Sequence, residues 1–246
     1  MDKRGILVTR PHPDAERTAA GLAALGLAPV VAPMLEARFT GAALPDASPF
    51  AAVAFTSGNG VRALAAHADG ERFSALPVYA VGEHTANEAR AVGFTRVLAA
   101  SGTLDDLCTT IVANRPAGPL FYPAPRHQSG DLAGRLAAQG IKVEHRILYE
   151  MHAATALPPG LSERLGDGSI IGASFYSRRT AEIFASLLSG SEHAEIRGNL
   201  HCLCLSENVA QPLIEAHFPR IGLADAPSHE AMMTLALAFA QDQISP

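Results

Sequence analysis

The chain has 246 residues, 48% of them hydrophobic and 17% charged, with a formal net charge of −5 at pH 7. These values describe a globular protein of one large or two small domains and exclude a disordered one. They also exclude a global positive field that would steer nucleic acid, so any anionic ligand must be held by local groups.

The first apolar run, Ile6 to Val8, is too short for a signal peptide. The apolar runs that follow fall short of the roughly 20 residues needed to cross a bilayer. A soluble cytoplasmic protein with no membrane contact is expected. "ILVTRPHPD" reads as a strand and a polar turn, and "AGLAALGLAPV" (Ala20–Val30) as a helix stopped at Gly26 and followed by a strand. "APMLEARFT" (Ala32–Thr40) then alternates polar and apolar residues, as an extended segment does.

A longer unit follows. "AAVAFTSGNGVRAL" predicts a strand, a turn and a helix, "VYAVGEHTANEARAVGFTRVLAA" (Val78–Ala100) the same again with a further strand, and "SGTLDDLCTTIV" a helix capped by Thr103 with Asp106. The short unit then recurs. "LFYPAPRHQSGD" (Leu120–Asp131) leads into "GRLAAQGIKVE" (Gly134–Glu144), where Leu136, Ala137, Ala138, Gly140 and Ile141 match Leu22, Ala23, Ala24, Gly26 and Leu27. A second alternating stretch, "EHRILYEMH", closes it. The long unit recurs as "IIGASFYSRRTAEIF", "LHCLCLSENVAQPLIEAHFPRIGLAD" and "APSHEAMMTLALAF", the last capped at Ser228.

The order short, long, short, long predicts an α/β protein with two doubly wound parallel-sheet domains. The two alternating stretches can pair as a two-stranded antiparallel linker, which makes the first domain discontinuous. The expected division is 1–34 plus 155–246 for domain 1, 40–144 for domain 2, with 35–39 and 145–154 as linker strands. A contiguous split also fits the periodicity alone.

Candidate chemistry is sparse. Cys202 and Cys204 share one face of a strand and read as buried thiols; no Cys/His spacing completes a metal site. Gly58-x-Gly60-x-x-Ala63, with Glu83 downstream, loosely matches a dinucleotide fingerprint, but its repeat "SRRTAE" has neither glycine. Ser57 and Ser177 lack the Gly-x-Ser-x-Gly elbow of a nucleophile, and helix capping explains both more simply. What remains is a series of polar turns at strand ends, where open α/β sheets bind ligands and helix N-termini favour anions. They contain Arg10; Thr56, Ser57 and Asn59; Gly82 and Thr85; Arg126; Ser177 and Arg178; and Ser206.

Taken together, "ILVTRP", "VAFTSGNGV", "VYAVGEHTANEARAVGF", "LFYPAPRHQSGDLAGRLAAQGIKVEHRILYE", "SFYSRRTAEIF" and "GLADAPSHEAM" resemble the uroporphyrinogen-III synthase family over nearly the whole chain. The resemblance implies two α/β domains on a two-stranded ladder, no cofactor and no metal. It implies conversion of hydroxymethylbilane to uroporphyrinogen III, with loss of water and inversion of the last pyrrole ring. The substrate's eight carboxylates would be bound by the ten turn residues just named, and Tyr149 in "RILYEM" would serve as the catalytic acid. A monomer is implied, and the reading admits transient contact with the enzyme that precedes it. The chain departs from the family at Leu205-Ser206-Glu207-Asn208-Val209-Ala210, where a Gly then Thr-Ala is usual, and at Ser177-Arg178-Arg179, where a Ser-Pro-Ser-like turn is usual. The arginines could grip carboxylates, whereas Glu207 could repel them. The rival readings are a non-enzymatic two-lobed module that binds a tetrapyrrole or small anion, and a nucleotide-dependent enzyme using the Gly58 turn.

Overall fold

The computed structural model describes residues 5–128 and 130–242. The chain begins with β1 (Gly5–Val8), α1 (Asp14–Ala24) and β2 (Ala28–Val31), then runs through β3 (Leu35–Phe39). Next come β4 (Ala52–Phe55), α2 (Gly58–Ala65), β5 (Val78–Ala80), α3 (Glu83–Ala91), β6 (Val97–Ala99) and α4 (Leu104–Asn114). They are followed by β7 (Leu120–Pro125), α5 (Leu132–Ala137) and the long β8 (Val143–Ala153). The last third holds α6 (Leu161–Gly166), β9 (Ile170–Phe175), α7 (Arg178–Leu187), α8 (Ala194–Asn199), β10 (His201–Cys204), α9 (Glu207–Glu215), β11 (Ile221–Leu223) and α10 (His229–Asp242).

Two compact units result. One comprises the segment ending at Glu36 and the segment from His152 onward; the other is Ala37–Met151. The first holds a five-stranded sheet in the order β11-β10-β9-β1-β2, the second a six-stranded sheet in the order β3-β8-β7-β4-β5-β6. Strands β1, β2, β9, β10 and β11 pair in parallel, as do β4 to β8. Both sheets are thus dominated by parallel pairs, and each central strand is buried on both faces. In β1, Ile6 and Val8 join the core beneath α1 and α10, while Leu7 joins the core beneath α6 to α9. In β4, Val53 and Phe55 pack with α2 and α3, and Ala52 and Ala54 with α4 and α5. This explains why these strands read as continuous apolar runs rather than alternating ones.

Strand β8 has two roles. Val143 to Tyr149 pair in parallel with β7. Its outer part runs antiparallel to β3 and the flanking residues, since Thr40 N donates to Leu148 O at 2.9 Å and Ala154 N donates to Met34 O at 3.0 Å. One edge of a strand carries the domain sheet and the other carries the ladder. That accounts for the polar alternation of "EHRILYEMH", because an edge pair is only partly covered.

The helix stops repeat as well. Leu27 N donates to Leu22 O across Gly26, and Ile141 N to Leu136 O across Gly140; the glycines have φ of 84° and 77°. Phe94 N to Ala89 O across Gly93, and Phe218 N to Leu213 O, complete the set. In the last case the left-handed residue is His217, at φ 64°. The bond closes carbonyls that the helix end leaves open, and the hydrophobic residue after the stop folds back into the core.

Candidate functional site

In the second unit the chain leaves β4 for α2 on one face of the sheet and leaves β7 for α5 on the other. Adjacent parallel strands whose connections depart to opposite faces open a crevice at their C-terminal ends. Thr56 and Ser57 lie there. Thr56 Oγ1 is 2.9 Å from the hydroxyl of Tyr122 on β7, and Ser57 Oγ is 2.7 Å from the hydroxyl of Tyr149 on β8. Both phenols are almost wholly buried; Tyr149 is 3% exposed. Burial pushes both above the ordinary tyrosine range, against the opposing pull of their serine and threonine partners. Both therefore stay protonated at neutral pH.

The surrounding groups fix this crevice. Gly60 is required by packing: a Cβ there would sit 2.9 Å from the Pro123 carbonyl oxygen and 3.4 Å from the Phe55 ring. The feature that loosely matched a dinucleotide fingerprint thus has a close helix-to-strand contact as its physical cause. Asn59 accepts a hydrogen bond from Arg62 at 2.8 Å, and Arg62 pairs with Glu88 of α3 at 2.7 Å. Arg126 donates its backbone N–H to Tyr149 O at 2.9 Å, and its guanidinium pairs with Glu150. Gly82 stands at the N-cap of α3 in extended conformation, with no side-chain cap, and Thr85 is buried in the first turn.

In the first unit the corresponding crevice lies between β1 and β9. Arg10 pairs with Asp14 at 2.9 Å, donates to Thr18 at 3.3 Å, and lies 4.1 Å from the centre of the Tyr176 ring. The Tyr176 hydroxyl is 3.0 Å from His229 Nδ1. Burial raises the Tyr176 phenol and lowers His229, the latter helped by Arg10 and Arg17. Ser177 caps α7, accepting from Thr180 N at 3.2 Å. Arg178 donates to Glu182 at 2.8 Å and to Asn208 at 3.4 Å, tying the starts of α7 and α9 together. Ser206 occupies the N-cap of α9 without a side-chain cap, and a cavity of about 380 Å³ lies between it and Leu223–Pro227.

The fold therefore brings Thr56, Ser57, Asn59, Arg126 and Tyr149 to one crevice, with Gly82 and Thr85 at the next strand end. In the other unit it sets Arg10 beside Tyr176 and groups Ser177, Arg178 and Ser206 along the strand-end edge. Capping holds for Ser177 but not for Ser57, whose hydroxyl is turned to Tyr149 instead of its own helix. Sequence reasoning passed over Tyr122, Tyr176 and His229. Tyr176 could have been found, because it stands in the repeat where Thr56 stands. Nothing local marks His229 beyond its place at a helix start.

Cys202 and Cys204 are buried, and burial pushes Cys204 up to about 12 and Cys202 up as well, so both stay inert thiols. Among the described residues no group of three or more His, Cys, Asp or Glu side chains is placed to hold a metal ion, and no helix is long and apolar enough to cross a membrane.

No curated protein matches the chain. Solved structures do. Uroporphyrinogen-III synthetase from Helicobacter pylori 26695 is similar with a TM-score of 0.65 at 20% identity, over 96% of this chain and 99% of that one. A mutant uroporphyrinogen III synthase from the extremely thermophilic bacterium Thermus thermophilus is similar with a TM-score of 0.51 at 16% identity, over 98% and 99%. At these identities the likeness shows a shared fold. Membership comes from the sequence: the family model described as Uroporphyrinogen-III synthase HemD matches residues 16–234. A match over that much of the chain, on two parallel-sheet units, makes it a member of the uroporphyrinogen-III synthase family.

Proposed function

We infer that the chain cyclises hydroxymethylbilane to uroporphyrinogen III, with loss of water and inversion of ring D. The observation that carries this reading is the family match over residues 16–234. The site chemistry supports it. Helices α2, α3 and α9 start at strand ends with no side-chain cap, so their first backbone N–H groups are open to an anion. Each such end contributes about 0.3–1 kcal/mol toward a negative group. One is trivial, but a ligand with eight carboxylates can use many. Arg10, Arg126 and Arg178 stand at the same edges and are proposed as further carboxylate grips, together with Thr56, Asn59, Gly82, Thr85, Ser177 and Ser206, while Ser57 is proposed to meet the substrate beside Tyr149.

The reaction asks little of any one side chain. Departure of the hydroxyl from a pyrrolic carbinol is chemically easy and leaves an electrophilic azafulvene. Left alone, the chain end closes at the unsubstituted carbon of ring D and gives the uninverted isomer. The enzyme must favour attack by the substituted carbon, through a spiro intermediate. A 99:1 preference requires about 2.7 kcal/mol, at about 1.36 kcal/mol per tenfold. Fixing the two ends of the bilane through their carboxylates supplies an effect of that size by orientation alone. Tyr149, kept protonated by burial, is proposed as the acid for the departing hydroxyl.

All the groups invoked come from one copy of the chain, so a monomer is proposed as the working species, cytoplasmic like the chemistry it serves. Direct transfer of the bilane from the enzyme that makes it would shorten the life of a compound that closes wrongly in water. The test is an isomer assay. Purified protein is supplied with hydroxymethylbilane, the product is oxidised, and type III and type I porphyrins are resolved. Excess type III is expected; a mixture identical to that formed in buffer overturns the reading.

A further inference from the structure

The repeat places two serines identically, Ser57 after β4 and Ser177 after β9, each in extended conformation at the N-cap of the helix that follows. Ser177 caps its helix. Ser57 does not, and its hydroxyl lies 2.7 Å from that of Tyr149. Their exposures differ. Tyr149 is 3% exposed and packed in the core with Val61 and Phe121, while Ser57 is only half-buried at the crevice. Either hydroxyl can donate in this bond; the phenol is the stronger acid of the two, which favours the arrangement in which the tyrosine donates and the serine accepts. A serine hydroxyl has one donor and two acceptor positions. With Tyr149 behind it, Ser57 is left with its own O–H to give, and that O–H belongs to the more exposed residue.

We propose that Ser57 is the group that touches the departing hydroxyl of the bilane, and that Tyr149 is a positioning residue that resupplies Ser57 from behind. This rests on the cyclisation reading and changes which side chain meets the substrate. Ser57 gives its proton to the carbinol oxygen as the C–O bond breaks, and water leaves. The pyrrole nitrogen lone pair forms the new exocyclic double bond, which produces an azafulvenium cation. Tyr149 passes its proton to Ser57 and becomes a phenolate, its negative charge balanced by the cation. When the closed macrocycle regains aromaticity, the proton lost from carbon returns through Ser57 to Tyr149. No oxidant, reductant or second substrate is required.

The experiment compares Ser57→Ala, Tyr149→Phe, the double variant and Ser57→Thr in the isomer assay, with thermal unfolding as a check of folding. The two single variants are expected to lose turnover to a similar extent, about a hundredfold, which is the lower end for general acid catalysis because the leaving group departs readily. KM should change little. The double variant should be no slower than either single one, as expected of groups that act as a unit. Ser57→Thr, which restores a hydroxyl, should recover most of the rate. Turnover of the unmodified chain in H₂O/D₂O mixtures should bow, with two protons in flight, and become linear in Tyr149→Phe. A Ser57→Ala protein that keeps its turnover while Tyr149→Phe loses it would overturn the relay and leave cyclisation intact, with Tyr149 meeting the substrate directly. An effect of Ser57→Ala on KM alone would overturn it too. Product from the unmodified chain with no excess of type III would sink the cyclisation reading itself.

Discussion

Ser57 and Ser177 hold the same place in the two units, yet only the Ser177 side chain bonds to its own helix, through Thr180 N at 3.2 Å; the Ser57 side chain bonds to Tyr149 at 2.7 Å. The difference can be measured as coupling. Ser177→Ala should cost about 1 kcal/mol, the usual loss of an N-cap, in any background. Ser57→Ala should cost about 1–3 kcal/mol, because it strands a buried phenol, and that cost should nearly vanish in a Tyr149→Phe background. Guanidinium unfolding of the four combinations checks this. A Ser57→Ala cost that persists undiminished beside Tyr149→Phe would show that the hydrogen bond is not what Ser57 contributes.

All four tyrosines, Tyr79, Tyr122, Tyr149 and Tyr176, are raised by burial above their ordinary value. In the unfolded chain phenols ionise near about pH 10. Between that pH and the higher folded values the unfolded chain binds fewer protons, so stability falls as pH rises. Below about pH 10 both states are protonated and the contribution is complete. Phenolate absorbance should therefore appear together with loss of structure rather than before it. A smooth titration of all four phenols in a protein still folded would contradict the burial.

The double repeat was readable because backbone rules leave traces in sequence. Gly26 and Gly140 mark helix stops, and Thr103 with Asp106 marks a start, where a full capping box forms. Parallel burial left the apolar runs of β1 and β4. The polar pairings were not readable. Nothing in "FTSGNG" says that Ser57 reaches for a tyrosine on β8 while Ser177 turns to its own helix. That choice depends on which residue β8 presents, a contact between positions far apart in the chain. Likewise Arg10, singled out as a carboxylate grip, meets the Tyr176 ring because β1 and β9 are neighbours.

The helix stops allow a stability prediction with opposite signs. Gly26 and Gly140 have φ of 84° and 77°, and His217 holds the equivalent stop at 64°. A Cβ in this region costs about 1–2 kcal/mol. Gly26→Ala and Gly140→Ala should each destabilise by about that amount, although a Cβ would meet nothing within 4 Å at either position. His217→Gly should stabilise, by less than about 1 kcal/mol, because glycine gives back part of the gain as unfolded-state entropy. Thermal unfolding checks all three. Destabilisation by His217→Gly would mean that its imidazole makes contacts worth more than the strain.

The carboxylate assignment is most exposed to test at Arg178 and Glu207, the departures from the family pattern. Arg178 is ion-paired to Glu182 and 43% exposed at its side chain, so it contributes little to folding. Removing it should leave unfolding unchanged. If it holds a substrate carboxylate in both the ground and transition states, Arg178→Ala raises KM several-fold and spares kcat. The effect should shrink as salt rises, since an exposed charge is screened over about 8 Å at physiological ionic strength. Glu207, exposed in the first turn of α9 at the edge of the 380 Å³ cavity, carries the opposite charge. Glu207→Gln should therefore lower KM with the same salt dependence. Arg10→Ala and Arg126→Ala complete the set, although their ion pairs with Asp14 and Glu150 must open before either can serve a ligand. An unchanged KM in all three arginine variants would remove carboxylate binding from these arginines and leave the helix N-termini and the hydroxyl and amide side chains of the turns as the anion grips.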